Sequence, residues 1–358
     1  MESSQSQPRR FMAKRRRRAK PDAEIVLICN PRAGGRWKEL AGILDSEEAR
    51  FARRIVTDSV EDIAAALDDL GHDAKLLCIY GGDGTIQRVL DRLAPGAPDE
   101  VHLALLGGGT MNVTSRWCGL SRQPVKNFRY LVRAYRSGNL LLKEVPVLEV
   151  TMGDLFHRGF TFGMGPIVRL LDVYERGPKG KVAAAGLAAR ALSATLLKWP
   201  GDLERIIQPM EADVEIDGEA LSYRQFVALF ANVTGQINPG VEPFAGERTR
   251  DSFHTAAYAV NAREMAMALP LLIRGWLPVD ANALLSPATL LARRKNGPDR
   301  RTLPSDPRYV NQIAHHLQIH TDEPLYTLDG EVLPTRSKTI SVELGPSLKL
   351  AVGPTATS

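Results

Sequence analysis

Three apolar runs in the first third of the chain end in the same way. "EIVLICN" runs into "PRAGG", "AKLLCIY" into "GGDGT" and "VHLALLGG" into "GTMN", and a helical pattern follows each turn. Short continuous apolar runs bounded by turn residues read as strands buried on both faces, and such strands belong to parallel sheets whose crossovers are helices. The intervening segments fit that alternation. "WKELAGILDSEEARFA" is helical, "RRIVT" is a strand, and "SVEDIAAALDDLG" is a helix with Ser59 and Asp62 spaced as a capping box and Gly71 at its end. The succession predicts an α/β domain with a parallel sheet covered on both faces over residues 23–143.

At 358 residues and 44% hydrophobic, the chain has apolar material for a large core and length for a second domain. That domain, residues 144–353, reads as short alternating runs ("VPVLEVTM", "FHRGFTFG", "EADVEID", "YRQFVALFANV", "FHTAAYAV", "HHLQIHT", "KTISVEL") between turn residues, which predicts a mainly antiparallel β domain whose last strands pack back on the first. Two stretches rich in Ala, Leu and Met, "KGKVAAAGLAARALSATLLKW" and "AREMAMALPLLIRGWL", interrupt it as helices, either packing on the core or offering a face to a lipid chain or bilayer.

Cys29, Cys78 and Cys118 each lie in or beside an apolar run, the pattern of core thiols in a reducing compartment. Nothing in the sequence resembles a membrane span or a secretion signal, so the protein is expected in the cytoplasm. Charge is unevenly spread. Residues 1–20 carry eight Lys or Arg and one Glu, a net of +7, which leaves −2 for the rest of a chain whose total is +5. Residues 1–22 therefore read as a disordered basic tail, either merely solvated, attracted to anionic lipid head groups, or binding nucleic acid less specifically.

The glycine turns fall where open parallel sheets collect ligands, beyond the carboxyl ends of the strands and before helix N-termini. Glycines there let phosphate oxygens approach backbone N–H groups. Any one of the three turns could be only a turn; three at three strand ends could converge on one anion. The spacing is neither a dinucleotide-binding GxGxxG nor a P-loop, since no Gly-Lys-Ser/Thr follows.

With "LYTLDGEV" near the C-terminus, the motifs "NPRAGG", "GGDGTI" and "GGGTMN" resemble those of the diacylglycerol kinase catalytic-domain family, which includes sphingosine kinases and bacterial lipid kinases. The resemblance implies an α/β nucleotide-binding domain of the NAD kinase and diacylglycerol kinase type, followed by a β-rich domain that holds the lipid. It implies that Asn30, Pro31 and Gly34 border ATP, that Thr57 offers its hydroxyl, and that Gly81, Gly82, Gly84 and Thr85 cradle the phosphates. Gly109, Thr110 and Asn112 add the third loop, and Arg176 and Lys181 either reach the phosphates or form a basic turn. Asp83, Asp329 and Glu331 are the implied catalytic carboxylates, ATP is the co-substrate with Mg²⁺, and Asp251 marks an accessory metal position. "LDGE" also has the form of a plain hairpin turn.

The sequence departs from the family pattern at several positions. Gln87 and Arg88 stand where Asn and Glu are frequent, Val113 where Asp is, Ile167 and Arg169 where an acidic residue is, and Asp251, Ser252 and Phe253 replace a frequent Asp-Gly-Leu. The expected function is an ATP- and Mg²⁺-dependent kinase acting on a lipid hydroxyl of diacylglycerol, a sphingoid base or a related lipid. A catalytically silent nucleotide- or lipid-binding protein and an NAD kinase are the alternatives. Partners expected are the lipid and, peripherally and transiently, an anionic membrane; nucleic acid is not expected, and a homodimer is compatible with the sequence.

Overall fold

The computed structural model describes residues 24–31, 37–57, 59–70, 73–93, 101–108, 113–177, 206–237, 241–280 and 305–354. Strands β1 (Ile25–Cys29) and β3 (Leu76–Tyr80) are buried at every position, as strands in the middle of a doubly covered sheet must be. They pair in parallel with each other and with β2 (Arg53–Val56) and β4 (His102–Leu105), giving the order β2-β1-β3-β4. Right-handed crossovers place α2 (Val60–Asp68) and α3 (Asp83–Leu93) against each other on one face, and α1 (Trp37–Leu44) against α5 (Pro124–Arg136) on the other. The capping box of α2 is formed: Asp62 N donates to Ser59 Oγ (3.1 Å) and Ser59 N to Asp62 Oδ2 (3.0 Å). Cys29, Cys78 and Cys118 are buried free thiols, and burial pushes Cys29 and Cys118 up to about 12.

The chain then extends this sheet with antiparallel strands. The 13-residue β17 (Thr339–Ala351) runs parallel to β4 and antiparallel to β5 (Leu142–Met152) and β14 (His316–Thr321), which carries β8 (Met210–Ile216) beyond it. Its register shifts between Leu344 and Ser347, where Gly345 and Pro346 interrupt the ladder at a bulge. One long strand near the C-terminus thus ties the parallel half to the antiparallel half. A second sheet, antiparallel throughout, has the order β13 (Tyr309–Ala314), β12 (Phe253–Tyr258), β11 (Ala228–Asn232), β7 (Thr161–Met164), β15 (Leu325–Leu328), β16 (Glu331–Pro334). The α/β fold with a parallel sheet and a separate antiparallel sheet is the class the sequence pattern predicted.

Two helices flank the second sheet. α6 (Pro166–Arg176) packs on β7, β15 and β16; α7 (Ala262–Leu272) is capped by Asn261, buries Ala268 and Leu272, and leaves Met267 and Leu269 exposed, as is Trp276 beyond it. The helix expected over residues 179–199 and the basic tail lie outside the described residues. Among the described residues no helix is long and apolar enough to cross a membrane.

Candidate active site

The carboxyl ends of β1, β2 and β3 are stitched together by short bonds. Asn30 N donates to the Tyr80 carbonyl (2.8 Å), and Asn30 Nδ2 to Thr85 Oγ1 (3.0 Å), so the first and second loops share a side chain. Pro31 follows directly. Thr57 is buried, and both its N–H (2.8 Å) and its hydroxyl (3.3 Å) donate to the Cys29 carbonyl. The third loop joins through Gly108 N, which donates to the Gly81 carbonyl (2.7 Å). Glycine is required at 81 by close approach: a Cβ there would lie 2.5 Å from the Thr85 side chain. Gly82 is the next residue, its carbonyl accepting from Thr85 N (3.0 Å) and opening α3. Asp83 stands in the first turn of that helix, where its charge meets the positive end of the helix dipole. Gly34, Gly109, Thr110, Asn112 and Lys181 lie outside the described residues.

From the second sheet the β15–β16 hairpin closes onto this loop. Its two turn residues, Asp329 (φ +54°) and Gly330 (φ +93°), are both left-handed, as in a type I′ turn. "LDGE" is therefore a hairpin turn and, in the same residues, a carboxylate mount. Asp329 is 7% exposed. Its Oδ1 accepts from Phe160 N (3.0 Å) and Thr161 N (2.8 Å), and its own N–H donates to the Thr161 carbonyl (2.8 Å). Burial pushes its carboxyl up to about 7 against the opposing effect of those N–H groups, and the nearby Asp83 charge raises it further. The Glu331 carboxylate lies flat against Gly84: all three of its atoms are 3.0 Å from where a Cβ on Gly84 would be. Asp83, Asp329, Glu331 and the Gly81–Thr85 loop are thus brought together, although 246 residues separate Asp83 from Asp329 in the chain.

The strand that holds Asp329 also holds α3. In β6 (Leu155–Gly159) His157 Nδ1 lies 2.8 Å from Asp91 Oδ2, and Arg158 N donates to Asp91 Oδ1 (2.6 Å). Gln87 Nε2 donates to the same carboxylate (3.0 Å). Residues 157–161 therefore grip Asp91, two turns along α3 from Asp83, and Asp329 at once. Gln87, one of the departures from the family pattern, is a working part of this joint. So is Arg169 elsewhere: its guanidinium makes a two-pronged ion pair with Glu323, 6% exposed, and donates to the Gln208 carbonyl (2.8 Å). Ile167 is half exposed on the first turn of α6.

Sequence reasoning missed Asn232. It is fully buried at the end of β11, donating to Thr161 Oγ1 (2.7 Å) while its Oδ1 accepts from Thr234 N (2.8 Å). Thr234 in turn accepts the Trp117 indole N–H (3.2 Å) of α4 (Val113–Trp117), which joins this loop to the helix after the third glycine motif. The legible signal was Asn-Val-Thr-Gly at the end of an apolar strand, the form of an Asx turn. Two other expected site residues stand apart. Arg176 ends α6 with its guanidinium on Asp172 (3.0 Å) and its side chain 76% exposed. Asp251 is exposed in the loop before β12, accepting from Thr249 Oγ1 (2.6 Å), which holds its carboxyl below the usual range. Among the described residues, no group of three His, Cys, Asp or Glu side chains is placed to hold a metal ion by itself.

The Gly81–Thr85 loop of the parallel sheet thus meets a carboxylate hairpin from the antiparallel sheet. Residues 24–139 match the family model of the diacylglycerol kinase catalytic domain, the family that the sequence motifs resemble. Among solved structures, a Bacillus anthracis str. Sterne protein described as a "putative diacylglycerol kinase" superposes with TM-score 0.61 at 18% identity, over 94% of this chain and 99% of that one. A diacylglycerol kinase structure from the same organism gives TM-score 0.55 at 16% identity, over 94% and 98%. At these identities the likeness is one of fold. No curated protein matches the sequence.

Proposed function

We propose that the protein transfers the γ-phosphoryl group of ATP to a hydroxyl group of a membrane lipid, of the diacylglycerol or sphingoid-base class. The observation that carries this reading is the approach of the Asp329–Glu331 hairpin to the Gly81–Thr85 loop, which sets three carboxylates beside backbone suited to phosphate oxygens. Phosphoryl transfer asks little covalent chemistry of a protein; it asks for in-line placement, charge neutralisation and a group that takes the hydroxyl proton.

Asp329 is the group placed to take that proton. Burial, with a smaller contribution from the nearby Asp83 charge, holds its carboxyl up at about 7, the range in which a general base is most effective. Phe160 and Thr161 fix the Asp329 carboxylate, and the α3 dipole steadies Asp83. The donor set fits a divalent cation brought with the nucleotide: Mg²⁺ needs only one or two protein carboxylates when phosphates and water complete its shell, and Asp83 and Glu331 would provide them. Bound there, it would neutralise charge on the transferring phosphoryl group. Of the departures from the family pattern, Gln87 and Arg169 have structural partners here, whereas Arg88, Val113 and Ile167 are the ones on which a silent protein would rest.

The test is purified protein with labelled ATP and Mg²⁺ on a total lipid extract, followed by chromatography. A labelled lipid whose formation falls by a factor of about 10² or more in Asp83→Asn supports the proposal. Tight ATP binding with no labelled lipid overturns it.

A further inference from the structure

One surface of the first domain has a charge distribution that the proposed chemistry does not use. Arg122, Lys126, Arg129, Arg133 and Arg136 are all exposed and follow one another at intervals of four, three, four and three residues. The last four keep the period of one helix face, with Arg122 just before the N-cap Gln123, so α5 presents a stripe of cations while Phe128, Leu131, Val132 and Ala134 on its other side enter the core. No Asp or Glu occurs between residues 121 and 143.

The stripe is only partly explained by the fold. Glu48, 4% exposed, lies beneath it and pairs with Arg133 (2.6 Å) and Arg129 (3.6 Å), and Arg136 stacks over Phe51 (3.5 Å). These contacts fix the stems and leave the side chains of Arg133 and Arg129 still 70% and 49% exposed. Arg122 and Lys126 have no such role. Lys126 sits in the first turn of α5, at the positive end of its dipole, where a cation weakens the helix. Helix stability therefore gives no reason for it. Beside the stripe runs a shallow groove of about 760 Å³ whose lining includes Lys126, Arg129, Arg133, Tyr130 and Asn139. Five cations against one buried carboxylate contrast with a chain that sums to −2 beyond residue 20.

Glu24, the first described residue, lies against this surface: Tyr135, on α5, donates its hydroxyl to Glu24 Oε2 (3.0 Å) near the C-terminal end of the stripe. We infer that the α5 stripe is a docking surface for an anionic phospholipid bilayer, to whose attraction the net +7 of residues 1–20 adds charge. The inference rests on the lipid-kinase reading for its choice of partner, since a substrate embedded in a bilayer requires the protein to visit that surface. The apolar side of α5 is already in the core, so attachment is electrostatic, reversible and screened over about 8 Å at physiological salt.

The experiment is co-sedimentation of the full-length chain with phosphatidylcholine vesicles, with and without phosphatidylglycerol, at low and physiological salt. The wild type should bind only the phosphatidylglycerol vesicles, and salt should weaken that binding. Arg122→Glu combined with Lys126→Glu should lower the partition coefficient tenfold or more, with an unchanged unfolding midpoint and unchanged phosphorylation of detergent-dispersed lipid. Deletion of residues 1–22 should lower binding and leave a remainder that the double variant removes. Unchanged vesicle binding in the double variant overturns the inference and moves the contact elsewhere, the exposed Met267, Leu269 and Trp276 being the next surface. Stripe-dependent binding to duplex RNA or DNA without vesicle binding at the same salt also overturns it. Because sedimentation needs no turnover, a protein that docks but phosphorylates no lipid refutes the proposed function alone.

Discussion

Asp329→Asn should make the protein more stable above neutral pH while removing its activity. The folded carboxyl lies at about 7 against 3.8 for a free one, a difference that corresponds to about 4 kcal/mol. The folded state therefore binds this proton more tightly than the unfolded state. Stability from this group is fullest below about pH 4, is lost as pH rises towards about 7, and is level beyond. Asparagine keeps both hydrogen bonds, because Phe160 N and Thr161 N both reach Oδ1, and it tolerates the left-handed conformation at φ +54°. The assay is urea unfolding of metal- and nucleotide-free protein at intervals from pH 5 to pH 8.5. Subtracting variant from wild type cancels the other titrating groups. The difference should move in favour of Asn as pH rises, approaching but not exceeding about 4 kcal/mol. Parallel curves for the two proteins would refute the claim that Asp329 is a destabilising buried acid.

Gly84→Ala places a Cβ 3.0 Å from the Glu331 carboxylate; kcat should fall tenfold or more while ATP affinity by calorimetry and the unfolding midpoint hold or improve, since Ala favours a helix by about 1 kcal/mol over Gly. Asp91→Ala frees residues 157–161 from α3 and should lower kcat with little change in ATP affinity, whereas Asp91→Asn, which still accepts the Arg158 N–H, should lower it less; equal kinetics for both variants and wild type would dismiss Asp91 as a positioning residue. Arg169→Met leaves Glu323 buried without its ion partner and should cost about 3–5 kcal/mol in urea unfolding, most of it recovered when Glu323→Leu is added.

What the sequence by itself determined follows from local physics. Buried strands such as "LLCIY" are apolar at every position, a helix start shows in Ser59 and Asp62, and backbone close to other groups shows as Gly81 and Gly84; each signal is spent within a few residues of chain. Asp329 and Gly330 could likewise be read as a hairpin, because positive φ at two successive positions selects those residue types. The tertiary structure alone decided which signals meet. Asp83 and Asp329 share a site only because β15 pairs with β7 while Phe160 and Thr161, at the start of β7, turn their N–H groups toward the hairpin. The proton affinity of Asp329 follows from that burial and from the Asp83 charge, neither of which is a property of "LDGE". The joint through Asp91, His157 and Gln87 was equally illegible, since three ordinary polar residues gain a role only when α3 and β6 are packed together. Local propensity is written residue by residue, but the energy of a buried charge depends on neighbours that only chain topology assembles.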